Sequence, residues 1–136
     1  MVTIPAEAKE VFNKQRIIPF ATVDSTGKPN NVVVAFWWFE GDDTIVIVDN
    51  FLGKSRKNLE ATKWAAINAY DMSKHLAYQI KGKTEIQTSG KHMEKAKLMV
   101  KEAKTPVEMP AKAVIILKAE EIYFMAPGPK VGQKIG

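Results

Sequence analysis

The sequence predicts a mainly β domain, an antiparallel barrel of about six short strands with three helices packed around it. Three observations lead there. Short apolar or alternating runs, each bounded by turn formers, recur along the whole chain. The helical patterns do not alternate strictly with the strands, which argues against a doubly wound parallel sheet. With 136 residues, 46% hydrophobic and 26% charged, the chain has the size and composition of one globular domain with a real core.

The elements follow in order. Pro5 suits a first helical position, and Ala8, Val11 and Phe12 share one face of a helix over 5–15. A strand over 17–23 is closed by the turn formers Asp24-Ser25-Thr26-Gly27-Lys28-Pro29. Residues 31–39 read as one strand that turns at Glu40-Gly41-Asp42-Asp43 into a strand over 44–48. Both faces of the 31–39 strand are apolar, with Val32, Val34, Phe36 and Trp38 against Val33, Ala35, Trp37 and Phe39. A barrel interior buries one such face, so the other calls for a helix, a flat aromatic ligand or a second subunit.

After a short helix come strands over 64–70 and 76–88, the second with the cleanest period of two in the chain. Gly82 interrupts its core-facing row, which predicts a bulge or a close backbone approach. Ser89 is placed to cap a helix running to about Lys104, with Met93, Ala96, Val100 and Ala103 as its buried stripe. A last strand spans 113–124. The Pro- and Gly-bearing tail over 127–136 has no pattern that requires regular structure. One domain over 1–136 accounts for everything.

The most informative stretch is Val48-Asp-Asn-Phe-Leu-Gly-Lys-Ser-Arg-Lys-Asn-Leu59. An apolar run ends, Gly53 breaks the chain, and a helix opens with Lys54, Ser55, Arg56 and Lys57 in its first turn. Free backbone N–H groups and the positive end of the helix dipole meet there, which favours an anion. A basic first turn opposes the dipole preference, so it reads either as a phosphate site or as a solvated basic surface.

Composition narrows the rest. Cysteine is absent, which removes disulfides and thiolate chemistry. No apolar run approaches the roughly 20 residues that span a bilayer, and Met1-Val-Thr-Ile-Pro lacks the features of a signal peptide, so no membrane role and a cytoplasmic location are expected. The net charge of +5 suits an anionic partner. His75 and His92 stand alone, which fits surface or cap residues better than metal ligands. No nucleophile–base arrangement or carboxylate pair stands out. Trp37 and Trp38 suit a core or a dimer interface, or stacking on a ring.

In their order and spacing these residues resemble the pyridoxamine 5′-phosphate oxidase-like family of FMN-binding split barrels, and within it the small FMN-binding proteins. The resemblance covers nearly the whole chain and is most specific at Lys54, Ser55, Asn58 and Leu59. It implies a six-stranded, Greek-key split barrel. It also implies that Lys54 and Ser55 hold the FMN phosphate, with Asn58 steadying the turn. By the same resemblance, Asn31, Val32, Val33 and Val34 line the flavin and its ribityl chain, while Val48, Asp49 and Asn50 reach the ring's polar edge. Gly82 matches a glycine of the long central strand, and Gln79, beside it, is a candidate donor to a flavin oxygen. A homodimer with the flavin between subunits is implied as well. Asp49 would then be the nearest acidic influence on the ring.

The chain departs from true pyridoxamine-phosphate oxidases at its end, where Lys130-Val131-Gly132-Gln133-Lys134-Ile135-Gly136 lacks their substrate-recognising Arg and His. Vitamin B6 oxidation is therefore not expected. Three function classes stay open. The first is an FMN-dependent oxidoreductase or electron carrier, whose redox partner the sequence does not name. The second is a relative binding a deazaflavin or haem in the same groove. The third is a basic nucleic-acid-binding barrel, disfavoured because the basic residues are not interleaved with exposed aromatics.

Overall fold

The predicted elements map onto a computed structural model that describes residues 2–136. The chain runs α1 (Ala6–Gln15), β1 (Ile18–Val23), β2 (Pro29–Val34), β3 (Trp37–Glu40), β4 (Thr44–Asp49), α2 (Lys54–Thr62), β5 (Trp64–Asp71), β6 (Leu76–Gln87), α3 (Lys91–Glu102) and β7 (Ala113–Phe124). All strands join one antiparallel sheet in the order β2-β1-β5-β6-β7-β4-β3. Within it β5, β6, β7 and β4 are successive neighbours, a Greek-key run.

The strand count is seven and not six, because the single strand expected over 31–39 is two. The chain leaves the sheet at Ala35-Phe36. β2 then pairs only with β1, and β3 only with β4. These consecutive strands are therefore the two ends of the sheet. Three Cα steps from Val34 to Trp37 span no more than about 11 Å. The sheet must curl until its ends nearly meet, yet they do not pair, which makes the barrel split.

The doubly apolar pattern is thereby explained. Trp37, Ile45 and Ile47 enter the main core, with Phe12 and Val11 of α1, Phe20, Ile67, Ile80, Ile115 and Leu117. Phe12, Trp37 and Phe39 meet edge-to-face at centroid separations of 5.3 to 6.2 Å. Trp38, Val46, Val48 and Val114 point the other way, into a second core closed by Met93 and Ala96 of α3. A helix thus covers the second face of β3 and β4.

A clasp crosses the seam. Arg16, just after α1, sits over the Trp37 ring at 4.2 Å and donates from Nη2 to the Trp37 carbonyl at 3.0 Å. The Trp37 indole N–H donates back to the Arg16 carbonyl at 2.6 Å. Arg16 takes φ 64° and ψ −56°, with the Ile17 N–H bonded to the Gln15 carbonyl at 2.8 Å. Such a tight turn costs a non-glycine residue roughly 1–3 kcal/mol, which the clasp offsets.

Two local expectations change. Ser89 does not cap α3, which begins at Lys91 behind Gly90 without any side-chain cap. The tail, expected to lack regularity, folds back along β7. The Ile135 N–H donates to the Ile122 carbonyl at 2.8 Å, and the Ile122 N–H to the Gly136 carbonyl at 2.7 Å. Gly82 behaves as predicted, since the ladder between β6 and β7 shifts register between Lys81 and Gly82.

A Cβ on Gly82 would lie 1.8 Å from the Lys118 carbonyl oxygen, which belongs to backbone held in the sheet. Gly82→Ala should therefore destabilise the fold by about 3 kcal/mol in urea denaturation. Asp71 supplies a pH-dependent contribution. Its carboxylate accepts from the Ser73 hydroxyl and N–H and from Lys14 at 2.9 Å, and these contacts lower its pKa from 3.8 to about 2. A depressed folded pKa means stability that is full above the unfolded value and lost as pH falls toward 2. Asp71→Asn should lower Tm at neutral pH, and the gap to the parent protein should close between pH 4 and 2.

Candidate functional site

β2, the end of β4 and the turn after it enclose a groove of about 260 Å³ at the barrel's seam. Val32, Val34 and Val48 form its strand-borne walls, with Val33 and Ala35 alongside. Asn50, Phe51 and Leu52 supply the turn side, while Ile17 and Met109 come from distant parts of the chain. No lining residue carries a charge. Ile17, Val33 and Phe51 are 52%, 67% and 59% exposed, so the groove opens onto an apolar rim.

The turn is built around Asp49, which is 1% exposed. Its Oδ1 accepts the Leu52 N–H at 3.0 Å, and its Oδ2 accepts from Arg56 Nη1 at 3.3 Å. Both oxygens are thus engaged by the fold and the buried charge is paired. Next to it, the Asn50 side chain donates to the carbonyls of Met109 and Pro110 at 3.2 and 3.0 Å.

The turn leads into α2 through Gly53, whose φ of 54° suits glycine. The helix start has no side-chain cap and no acidic residue in its first turn. Ser55 is fully buried, and its hydroxyl accepts from Asn30 Nδ2 at 2.8 Å. Lys54 and Lys57 remain exposed. Asn58 donates to Thr22 Oγ1 at 3.0 Å, and Thr62 Oγ1 to the Val23 carbonyl at 3.0 Å, so α2 is pinned to β1. Asn30 and Val32 stand two residues apart on one strand, about 7 Å, which links the helix start to the apolar groove.

The structure therefore brings together Val32, Val33, Val34, Val48 and Asn50 around the groove, while Lys54 and Ser55 open α2 just beyond Leu52 and outside the lining. Asn31 is exposed on the other face of β2, and its neighbour Asn30 makes the contact to Ser55. Gln79 sits elsewhere, half-buried between Asn68 and Tyr123 in the sheet. Sequence reasoning missed Ile17, Phe51, Leu52 and Met109. Strict alternation from Val32 and Val34 would have selected Asn30. Met109 lies in an unpatterned loop.

Among the described residues no group of three or more His, Cys, Asp or Glu could hold a metal, and no helix is long and apolar enough to cross a membrane. His92, in the first turn of α3, faces Glu40 at 3.4 Å, and His75 meets the Pro127 carbonyl at 2.6 Å. Neither lines the groove.

Known proteins agree with this architecture. HupZ of Group A Streptococcus is 31% identical, with a TM-score of 0.79, and the match covers 95% of this chain and 99% of HupZ. An FMN-binding protein from Syntrophomonas wolfei subsp. wolfei shares the fold at 20% identity and a TM-score of 0.75, over 87% of this chain and 83% of that one. HutZ, the haem storage protein from Vibrio cholerae, shares it at 13% identity and 0.65, over 90% and 95%. The family model for pyridoxamine 5′-phosphate oxidase matches residues 4–126, and the chain belongs to that family.

Proposed function

We propose that this chain binds FMN in the seam groove, between two copies of itself, and serves as an oxidoreductase or electron carrier. One observation carries the reading: an uncharged apolar groove ends at Leu52, and two residues on stands a helix start that has no side-chain cap, no acidic residue and an exposed lysine. The residues fit the cofactor. Valine walls suit a flat ring, and Lys54 at the positive end of the α2 dipole suits a phosphate. Ser55 is buried and already bonded to Asn30, so it fixes the strand against the helix start. Bound FMN supplies the electron exchange; the protein binds it, orients it and keeps water from one face. Vitamin B6 oxidation stays outside the proposal, for want of the Arg and His noted above. Haem is the second candidate ligand, with no histidine in the groove lining to favour it.

The homodimer follows from size and exposure. A groove of about 260 Å³ is smaller than the roughly 300–1,000 Å³ that encloses a ligand of this kind, so it serves as one wall. The exposed Ile17, Val33 and Phe51 on its rim suit the second wall, a partner copy.

Purified protein should carry flavin absorption bands, and a haem Soret band or a deazaflavin spectrum in their place would replace the reading. Lys54→Ala should weaken FMN binding about ten- to a hundred-fold and leave riboflavin affinity nearly unchanged, as fluorescence titration would measure. Equal losses for both ligands would assign Lys54 to the fold. Sedimentation equilibrium should return the mass of two chains at micromolar concentration, and a stable single-chain mass would remove the shared groove.

A further inference from the structure

The segment 103–112 between α3 and β7 meets the groove at one rim, where Asp49, Asn50 and Phe51 tie it down. The Asp49 carbonyl accepts the Lys112 N–H at 2.9 Å. Asn50 Nδ2 donates to both the Met109 and Pro110 carbonyls. The Lys112 ammonium lies over the Phe51 ring at 4.8 Å. On its other side the strap bounds an open depression of about 550 Å³, lined by Val100, Lys101 and its own residues 103–110. It is thus fastened at the groove rim and backed by space. Its fastening delivers one side chain, Met109, into the groove lining.

The geometry of Asn50 makes the role specific. Its amide faces two carbonyl oxygens, so only the nitrogen can point there. The residue is 6% exposed, and its donors are occupied by the strap. We propose that Met109 is a specificity-determining residue, narrowing the groove so that only small, flat, uncharged acceptors such as quinones reach a bound flavin, and that Asn50 is the positioning residue that holds it there. The inference rests on the flavin reading above for the ligand, while the latch itself does not. With the ring on the valines, Leu52 and Met109 remain as uncharged lining beside the strap and exclude charged substrates by desolvation. An unbranched thioether fills an irregular gap beside a ring better than a branched side chain.

Two measurements test this. In the protein without cofactor, Asn50→Asp sets a carboxylate against two carbonyls and should raise tryptic cleavage at Lys104 and Lys112 about tenfold, with global Tm changing little. Val107→Ala, on the exposed strap but outside the groove lining, is the control and should cleave like the parent. Unchanged cleavage in Asn50→Asp overturns the latch. In FMN-loaded protein reduced with dithionite under anaerobic conditions, two acceptors are compared. Benzoquinone takes two electrons and two protons from the reduced flavin to give hydroquinone; ferricytochrome c takes one electron per molecule.

Asn50→Asp and Met109→Ala should each raise the cytochrome rate about tenfold relative to the quinone rate. An unchanged ratio in Met109→Ala, with flavin bound, overturns the gating role. Failure of the parent protein to retain FMN overturns the flavin reading and with it the gate, and leaves the cleavage result to decide the latch.

Discussion

Everything in this barrel depends on one constraint: the two end strands of a seven-stranded sheet are consecutive in the chain, joined only by Ala35 and Phe36. A connection that short forces closure, and the absence of pairing between β2 and β3 leaves the closure open along one line. Helix α1 plugs the interior beside that line with Val11 and Phe12, and Arg16 spans it to Trp37. The residue after Arg16 is Ile17, and the residues at the break are Val34 and Ala35; all three line the groove. The strained turn at Arg16 and the groove are therefore two results of the same geometry. The clasp holds the start of β3 beside the end of α1, next to the mouth of the cleft.

The turn from Asp49 to Leu52 is where the parts of the site meet. Its first residue caps the turn and takes Arg56 as an ion-pair partner, its second holds the strap, and the chain then enters α2. This divides the cluster of polar residues that opens α2. Arg56 is drawn back to a buried carboxylate, Ser55 is turned inward to Asn30, and Lys54 and Lys57 stay in solvent. A basic first turn destabilises a helix by itself. Here Asp49 neutralises one of the charges, and no acidic side chain competes for the helix start.

What could be read from the sequence follows from which signals are local. The α1 stripe, the period-two run of β6 and the bulge at Gly82 were legible because each depends on spacing within one element. The break at Ala35-Phe36 was not. An apolar run with both faces buried looks the same whether it is one strand or two, and only the pairing partners separate the cases. Which of the adjacent Asn30 and Asn31 reaches Ser55 was not legible for the same reason, since register decides which of the two faces inward. The contacts of Asn50 were not legible, because its partners stand some sixty residues away. The tail was illegible for a related reason: its bonds go to the backbone of β7, which demands no side-chain pattern.

An open seam also gives a split barrel of this kind a place where a ligand or a second chain could lie. A closed barrel satisfies every backbone N–H and C=O within the ladder, whereas two unpaired edges leave a row of donors and acceptors beside apolar side chains. The ladder between β3 and β4 runs one residue past β3, the Val48 N–H donating to the Phe36 carbonyl at 2.9 Å. The outer edge of β2 has no neighbouring strand among the described residues. Its groups need water, a second chain or a ligand that is flat, apolar on its faces and polar along its rim. The valines beside that edge reject bulk water on one face, so the first of these options satisfies it least well. The edge and the walls together select the shape of what can lie between them.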